Sequence, residues 1–220
     1  MFSQILAIAL LAGSPEEAIE EEIFDFDPAS VDVSDAINCR LDAPTYNGFA
    51  MHLNEDVQGQ LGWKMIENTN SFMLEFQLPS AINVTDTRTT DHIAFTSTGV
   101  MAVLDLEDPS EIAKEVGIEN QVDTDASIAT LISAMQKIVG EKQAEGSGPK
   151  VSEAIPEPVF QKFLGQKILI DETDPSSEDQ SWRARTIISR NVSNVSSHPG
   201  KTLYGCSYKM EFLDKDGKPL

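Results

Sequence analysis

Positive charge is scarce in this chain. Lys and Arg number 16 against 36 Asp and Glu, which sets a formal net charge of −20 and a pI near 4.3. Attraction to nucleic-acid phosphates or to anionic lipid needs net or local positive charge, so neither is expected as a partner. Long hydrophobic runs are missing too. The apolar stretch Ile5–Ala12 has eight residues, far short of the roughly 20 that cross a bilayer as a helix. No transmembrane segment is therefore expected in the mature chain. Histidine is scarce, with His52, His92 and His198 far apart, and no C-x-x-C or H-E-x-x-H occurs. A transition-metal site would need distant residues to converge, so no metal or cofactor is expected. There is likewise no G-x-S-x-G turn, no P-loop and no G-x-G-x-x-G. The common hydrolytic and nucleotide-binding signatures are thus absent. Paired-carboxylate hydrolysis stays open, because acids are abundant and any one pair is uninformative.

What is present begins with a leader-like start. Ile5–Ala12 followed by Gly13 and Ser14 reads as an export signal over residues 1–14. Two features run against it: no Lys or Arg lies in the first four residues, and Pro15 follows the most obvious cut. A buried N-terminal strand is the alternative. Residues 15–38 carry many acids and no base, with Ile23, Phe24 and Phe26 among them, which predicts an exposed acidic tether. Residues 39–220 then form one domain, with a division into two subdomains left open at 145–158.

Cys39 and Cys206 flank that domain and fit no metal or redox spacing. In an oxidising compartment they are expected to form a disulfide worth about 4–5 kcal/mol by chain entropy. Two buried free thiols are the alternative. Leader and cysteines together place the protein in the periplasm or outside the cell.

The fold class read from the pattern is α+β, an antiparallel sheet packed by two or more helices. Its centre is Asp91–Leu106, where two β-favouring arms flank Thr96-Ser97-Thr98-Gly99. The second arm is apolar on both faces up to Val103, as a covered central strand should be. Other strand expectations are Tyr46–Leu53, Gly62–Ile66, Ser71–Leu78 ended by Pro79, an edge-like piece at Ile82–Thr85, and Lys167–Asp171. Asp108-Pro109-Ser110-Glu111 predicts a helix start with a capping box, and Gly117 its stop. A second helix is expected over 125–144, with an apolar stripe at Ile128, Leu131, Ile132, Met135, Ile138 and Val139. A short helix near Val159–Leu164 closes at Gly165. The C-terminal hairpin, Trp182–Val195 and Thr202–Leu213, is expected to have an irregular section within Asn191–Ser197.

Chemistry has few candidates. His92 follows Asp91, but neighbours in a strand face opposite ways, so a general-base role for His92 needs another partner. Arg183 and Arg185 share one face of the C-terminal hairpin, and Arg190 lies further along. From Gln180 to Met210 there are five basic residues and no acid, so these arginines are candidates for an anion site. The competing reading pairs them with the protein's own carboxylates. Trp182 could stack on a ligand, or lie in the core. The function expected is a non-enzymatic ligand-binding or accessory module of the bacterial envelope. Its partner would be a small anionic ligand or an envelope protein. A hydrolase using carboxylate or His92 chemistry, and a structural or protein-interaction module, are the alternatives.

Overall fold

The computed structural model describes residues 26–67, 70–122, 133, 161–175 and 181–220. Seven antiparallel strands form one sheet in the order β1-β2-β3-β4-β7-β6-β5. They are β1 Lys64–Ile66, β2 Leu74–Thr85, β3 Arg88–Phe95, β4 Gly99–Leu104, β5 Leu164–Thr173, β6 Trp182–Ser193 and β7 Thr202–Asp214. Helices α1 Val33–Ile37, α2 Ala43–His52, α3 Glu55–Leu61 and α4 Pro109–Val116 complete an α+β fold. The expected central hairpin is β3–β4. Every residue of β4 is buried, and it lies fourth of seven in the sheet.

Side-chain alternation gives the sheet two different faces. Phe76, Ile93, Val100, Ala102, Ile188, Val192, Tyr204 and Tyr208 share one face and form the main core. Ala36 and Ile37 of α1, Tyr46 and Phe49 of α2, and Ile112 of α4 pack into it. Each large side chain buried there contributes roughly 1.5–3 kcal/mol before entropy is counted. On the other face Ala94, Met101, Val103 and Leu203 make a small cluster, with Met73 and Val195 packed against it.

Several expectations are corrected. Tyr46–Leu53 lies in helix α2 and its C-cap, not in a strand. Asp42 caps α2 by accepting the Thr45 N–H at 2.7 Å, with Pro44 in the first turn. Tyr46 and Phe49, three apart, then face the core, while Met51 is turned out and 84% exposed. The acidic stretch before Cys39 does not stay an exposed tether throughout. Asp32 caps α1, which buries Val33, Ala36 and Ile37; residues 15–25 lie outside the described residues. Pro79 does not end its strand, because the β2–β3 register breaks between Gln77 and Ile82, where no proline N–H is required.

Glu111 does not complete a capping box. Its carboxylate, with that of Glu115, accepts hydrogen bonds from Arg88. Asp108 nonetheless caps α4 and Gly117 closes it with φ 68°. Leu164 begins β5 rather than ending a short helix. The expected irregular section of the C-terminal hairpin is there, since β6 ends at Ser193 and 194–197 leave the strand. Up to that point the β6–β7 register is unbroken, from Trp182↔Asp214 to Ser193↔Leu203. A second irregularity lies in β5 between Ile168 and Ile170. The helix expected over 125–144, Val159–Phe160, and the division at 145–158 lie outside the described residues.

A disulfide joins Cys39 to Cys206, with the two Cα atoms 5.3 Å apart. It ties the turn after α1 to the middle of β7. Cys39 itself adopts φ 58°, a conformation that costs free energy in a residue with a side chain. Among the described residues no helix is long and apolar enough to cross a membrane.

Candidate functional site

Glu75 is the least expected residue of the sheet. It alternates with Leu74 and Phe76, so in sequence it reads as the solvent side of a half-buried strand. On the second face of β2, however, it is 2% exposed. A buried carboxylate is unfavourable unless its oxygens are hydrogen-bonded, and both are. His92 Nε2 lies 2.7 Å from Oε2 and His198 Nε2 lies 2.9 Å from Oε1. With a proton on each Nε2, an ionised Glu75 accepts one hydrogen bond from each ring.

Three segments assemble this cluster. The register sets Glu75 beside Ala94 and Gln77 beside His92, so His92 reaches Glu75 along a diagonal. The β6–β7 connection folds back over this face and brings His198 from 123 residues away. That connection is held as a tight turn, with His198 N–H donating to Val195 C=O and Lys201 N–H donating to His198 C=O. Thr90 steadies the His92 backbone. Its hydroxyl donates to Val103 C=O at 2.7 Å, and its oxygen lies 3.1 Å from the His92 N–H.

The chain of polar groups continues outward. Ser197 Oγ is 3.0 Å from His198 Nδ1, and Asn70 Nδ2 donates to the same Oγ at 3.3 Å. With its Nε2 protonated, a neutral His198 accepts the serine proton at Nδ1. Serine, imidazole and buried carboxylate therefore stand in series. His92 thus has the partner that a general base would need, and it is Glu75 rather than Asp91. Sequence reasoning missed Glu75 and His198 because neither lies in a motif. The only local hint was a histidine in a Pro-Gly turn.

His198 also lines a cleft of 790 Å³ at the end of the sheet. Its other walls include Glu107–Ser110 before and in α4, Asn120, Gln161–Phe163, and Asn194–Lys201 in part. Two asparagines fix those walls. Asn194 accepts the Phe163 N–H at 2.7 Å and donates to Gln161 C=O at 2.9 Å. Asn120 accepts the Leu164 N–H at 3.0 Å and donates to Lys162 C=O at 3.3 Å. Lys201, at the rim, is paired with Asp105.

The three arginines do not converge. Arg183 and Arg185 do share a face, as the alternation requires, while Arg190 points from the opposite face toward α1. Arg185 is occupied by its own chain. It holds Asp171 through two hydrogen bonds of 2.7 Å and reaches Glu211 at 3.4 Å. The Arg185 hydrogen bonds hold the Asp171 carboxyl below its ordinary range, and Lys209 does most of the same for Glu211. Arg190 donates to Asn38 C=O at 3.2 Å, next to the disulfide, since Arg190 pairs in register with Cys206. Trp182 meets Phe212 edge-on and is 41% exposed, so it is not a core residue. Among the described residues no group of three or more His, Cys, Asp or Glu could hold a metal ion.

Comparison with protein families, with curated proteins and with solved structures finds no match to this chain.

Proposed function

We propose that this protein is an exported, non-enzymatic binding module that receives a small polar ligand in the cleft beside His198. The observation that carries this reading is the cleft itself. Its 790 Å³ falls within the size range of small-molecule sites, and Asn120 and Asn194 hold its walls in place without a ligand. Glu107, Asp108, Lys162 and Lys201 give the lining two acids and two bases. That balance suits a neutral or zwitterionic polar molecule better than the simple anion first expected from the arginines. The Cys39–Cys206 disulfide within the chain supports an oxidising compartment, periplasmic or secreted.

Backbone amide NMR during titration with a panel of amino acids, sugars, small carboxylates and phosphates tests the proposal. The expected result is saturable shifts confined to Ser110, Asn120, Phe163, Asn194 and His198 for at least one zwitterionic or neutral compound. Shifts centred on Arg183 and Arg185, or none across the panel, would sink it.

A second reading has its own observation, the Ser197–His198–Glu75 series. In a hydrolase, Ser197 Oγ would attack an ester carbonyl as His198 Nδ1 takes its proton, and the proton would pass to the alcohol that leaves. Water would then release the acid from Ser197, with Glu75 orienting the ring and stabilising its charge throughout. Hydrolysis of an activated aryl ester that disappears in Ser197→Ala, with the fold intact, would favour this over simple binding.

A further inference from the structure

The two edges of the sheet are very unlike. Strand β1 spans 3 residues and β5 spans 10. A long open edge is a template for another strand, and folded proteins usually shorten, cover or charge theirs. The beginning of β5 is covered by its own chain. Leu164 N–H donates to Asn120 Oδ1, and Gln121 donates through its backbone to Leu164 C=O and through its side chain to Gln166 C=O. Gly165 makes this possible, because a Cβ there would lie 2.6 Å from Glu119 C=O. From Ile168 to Thr173 no described residue pairs with the outer edge. That free stretch is also apolar at its middle: Ile168, Leu169 and Ile170 are 56%, 40% and 39% exposed.

We propose that two copies of this chain associate through this edge, β5 against β5 antiparallel about a two-fold axis between Leu169 and Ile170. The occupant follows from self-complementarity. Bonds at Leu164 and Gln166 show which residues of the first half turn their backbone outward. Asp174 N–H donates inward to Ala184 C=O, so after the irregularity at Ile168–Ile170 the outward set is Asp171 and Thr173. Pairing outward with outward sets Ile168 against the partner copy's Asp171 and Leu169 against the partner copy's Ile170. It then sets Lys167 against the partner copy's Glu172, twice by symmetry. The same irregularity keeps each opposed pair on one face of the joined sheet. Lys167 and Glu172 make no ion pair in their own chain among the described residues, so both charges are available. An isologous contact of this kind closes at two copies and does not propagate.

Sedimentation equilibrium of the full, oxidised chain from about 1 to 100 µM tests this, because a Kd in that range is what a small transient interface gives. The expected result is a reversible dimer whose dissociation constant rises about ten-fold or more in Glu172→Lys, where like charges then oppose twice. The exchange Lys167→Glu with Glu172→Lys should bring it back to within about three-fold of the parent, since opposite charges face again. A dimer indifferent to Glu172→Lys, or one not restored by the exchange, overturns the proposal. So does a monomer throughout. If the chain is a monomer, hydrogen exchange separates two causes: protected amides at the outward residues Ile168, Asp171 and Thr173 mean that another segment of the same chain covers the edge. Unprotected amides mean that the edge is open to some other chain.

Discussion

The two faces of the central strands solve the same problem in opposite ways. Under the helices, Phe76, Ile93, Val100 and Tyr204 pack into the main core, and the aromatic rings of Phe49, Trp63, Phe76 and Phe95 lie against one another at centroid distances of 5.7–6.3 Å. One residue away along the same strands, Glu75 and His92 lie beneath His198 and hold the β6–β7 connection to the sheet by hydrogen bonds. The first face has helices to cover it and holds them chiefly by apolar contact, to which Tyr208 and Arg190 add hydrogen bonds to the Ala36 and Asn38 carbonyls. The second is covered by a short polar turn, which has little apolar area to offer and must be fixed directionally. The difference teaches where function is to be sought. The helix-covered face is tied by the disulfide, whereas the clasped face borders the cleft and presents His198 to it.

The largest expected effect is on the helix-covered face. Replacing Cys39 and Cys206 with Ser opens a loop of sequence separation 167; in the chain-entropy model this costs about 5 kcal/mol. Denaturant unfolding of the double variant should show most of that loss, and an unchanged midpoint would mean the bridge adds nothing.

On the clasped face, Glu75→Gln keeps the shape but leaves one imidazole without its proper acceptor, so stability should fall by about 1–3 kcal/mol. The loss should be local first. Hydrogen exchange at Ser197–Lys201 should speed up more than in β4, and equal acceleration everywhere would contradict the clasp.

Alkali separates the faces in another way. Burial raises the hydroxyls of Tyr46, Tyr204 and Tyr208 above the ordinary tyrosine range, and all three tyrosines of the chain are on the helix side. A folded value above the unfolded one contributes stability that is complete below the ordinary range and is lost as pH climbs beyond it. The ultraviolet tyrosinate band should therefore appear together with loss of near-ultraviolet circular dichroism. Tyrosinate formed in the ordinary range with the fold intact would show that these rings reach water.

The smallest effect is expected at Arg185. Its pair with Asp171 is solvent-exposed, so Arg185→Gln should leave the melting temperature nearly unchanged. The Asp171 carboxyl should instead rise toward its ordinary range in an NMR titration. Stability would be unchanged in an anion site too, but there Asp171 would not move.

Much of the scaffold was legible because its signals are local. The β3–β4 hairpin, the Asp108 cap with Gly117, and the two arms of the C-terminal hairpin each follow from residues within one element. The cysteine pair was legible by elimination of other roles. Helix α2 is hard to see in sequence because Phe49, Met51 and Leu53 mimic strand alternation, while its cap at Asp42 and Pro44 lies ahead of the apolar stretch. The site was less legible still. His92 stood out as the one imidazole beside an acid, but the acid it uses is on the neighbouring strand.

By itself, then, the sequence determined the α+β class, the central strand and the chain's acidity, since these depend on periodicity, turn residues and composition. Tertiary structure decided that Glu75 is buried, that His198 meets it from 123 residues away, and that Arg190 points away from Arg183 and Arg185. The physical reason is one of range. Strand alternation assigns a face, but which distant turn covers that face, and so which carboxylate must find partners, is settled only when the strands pair.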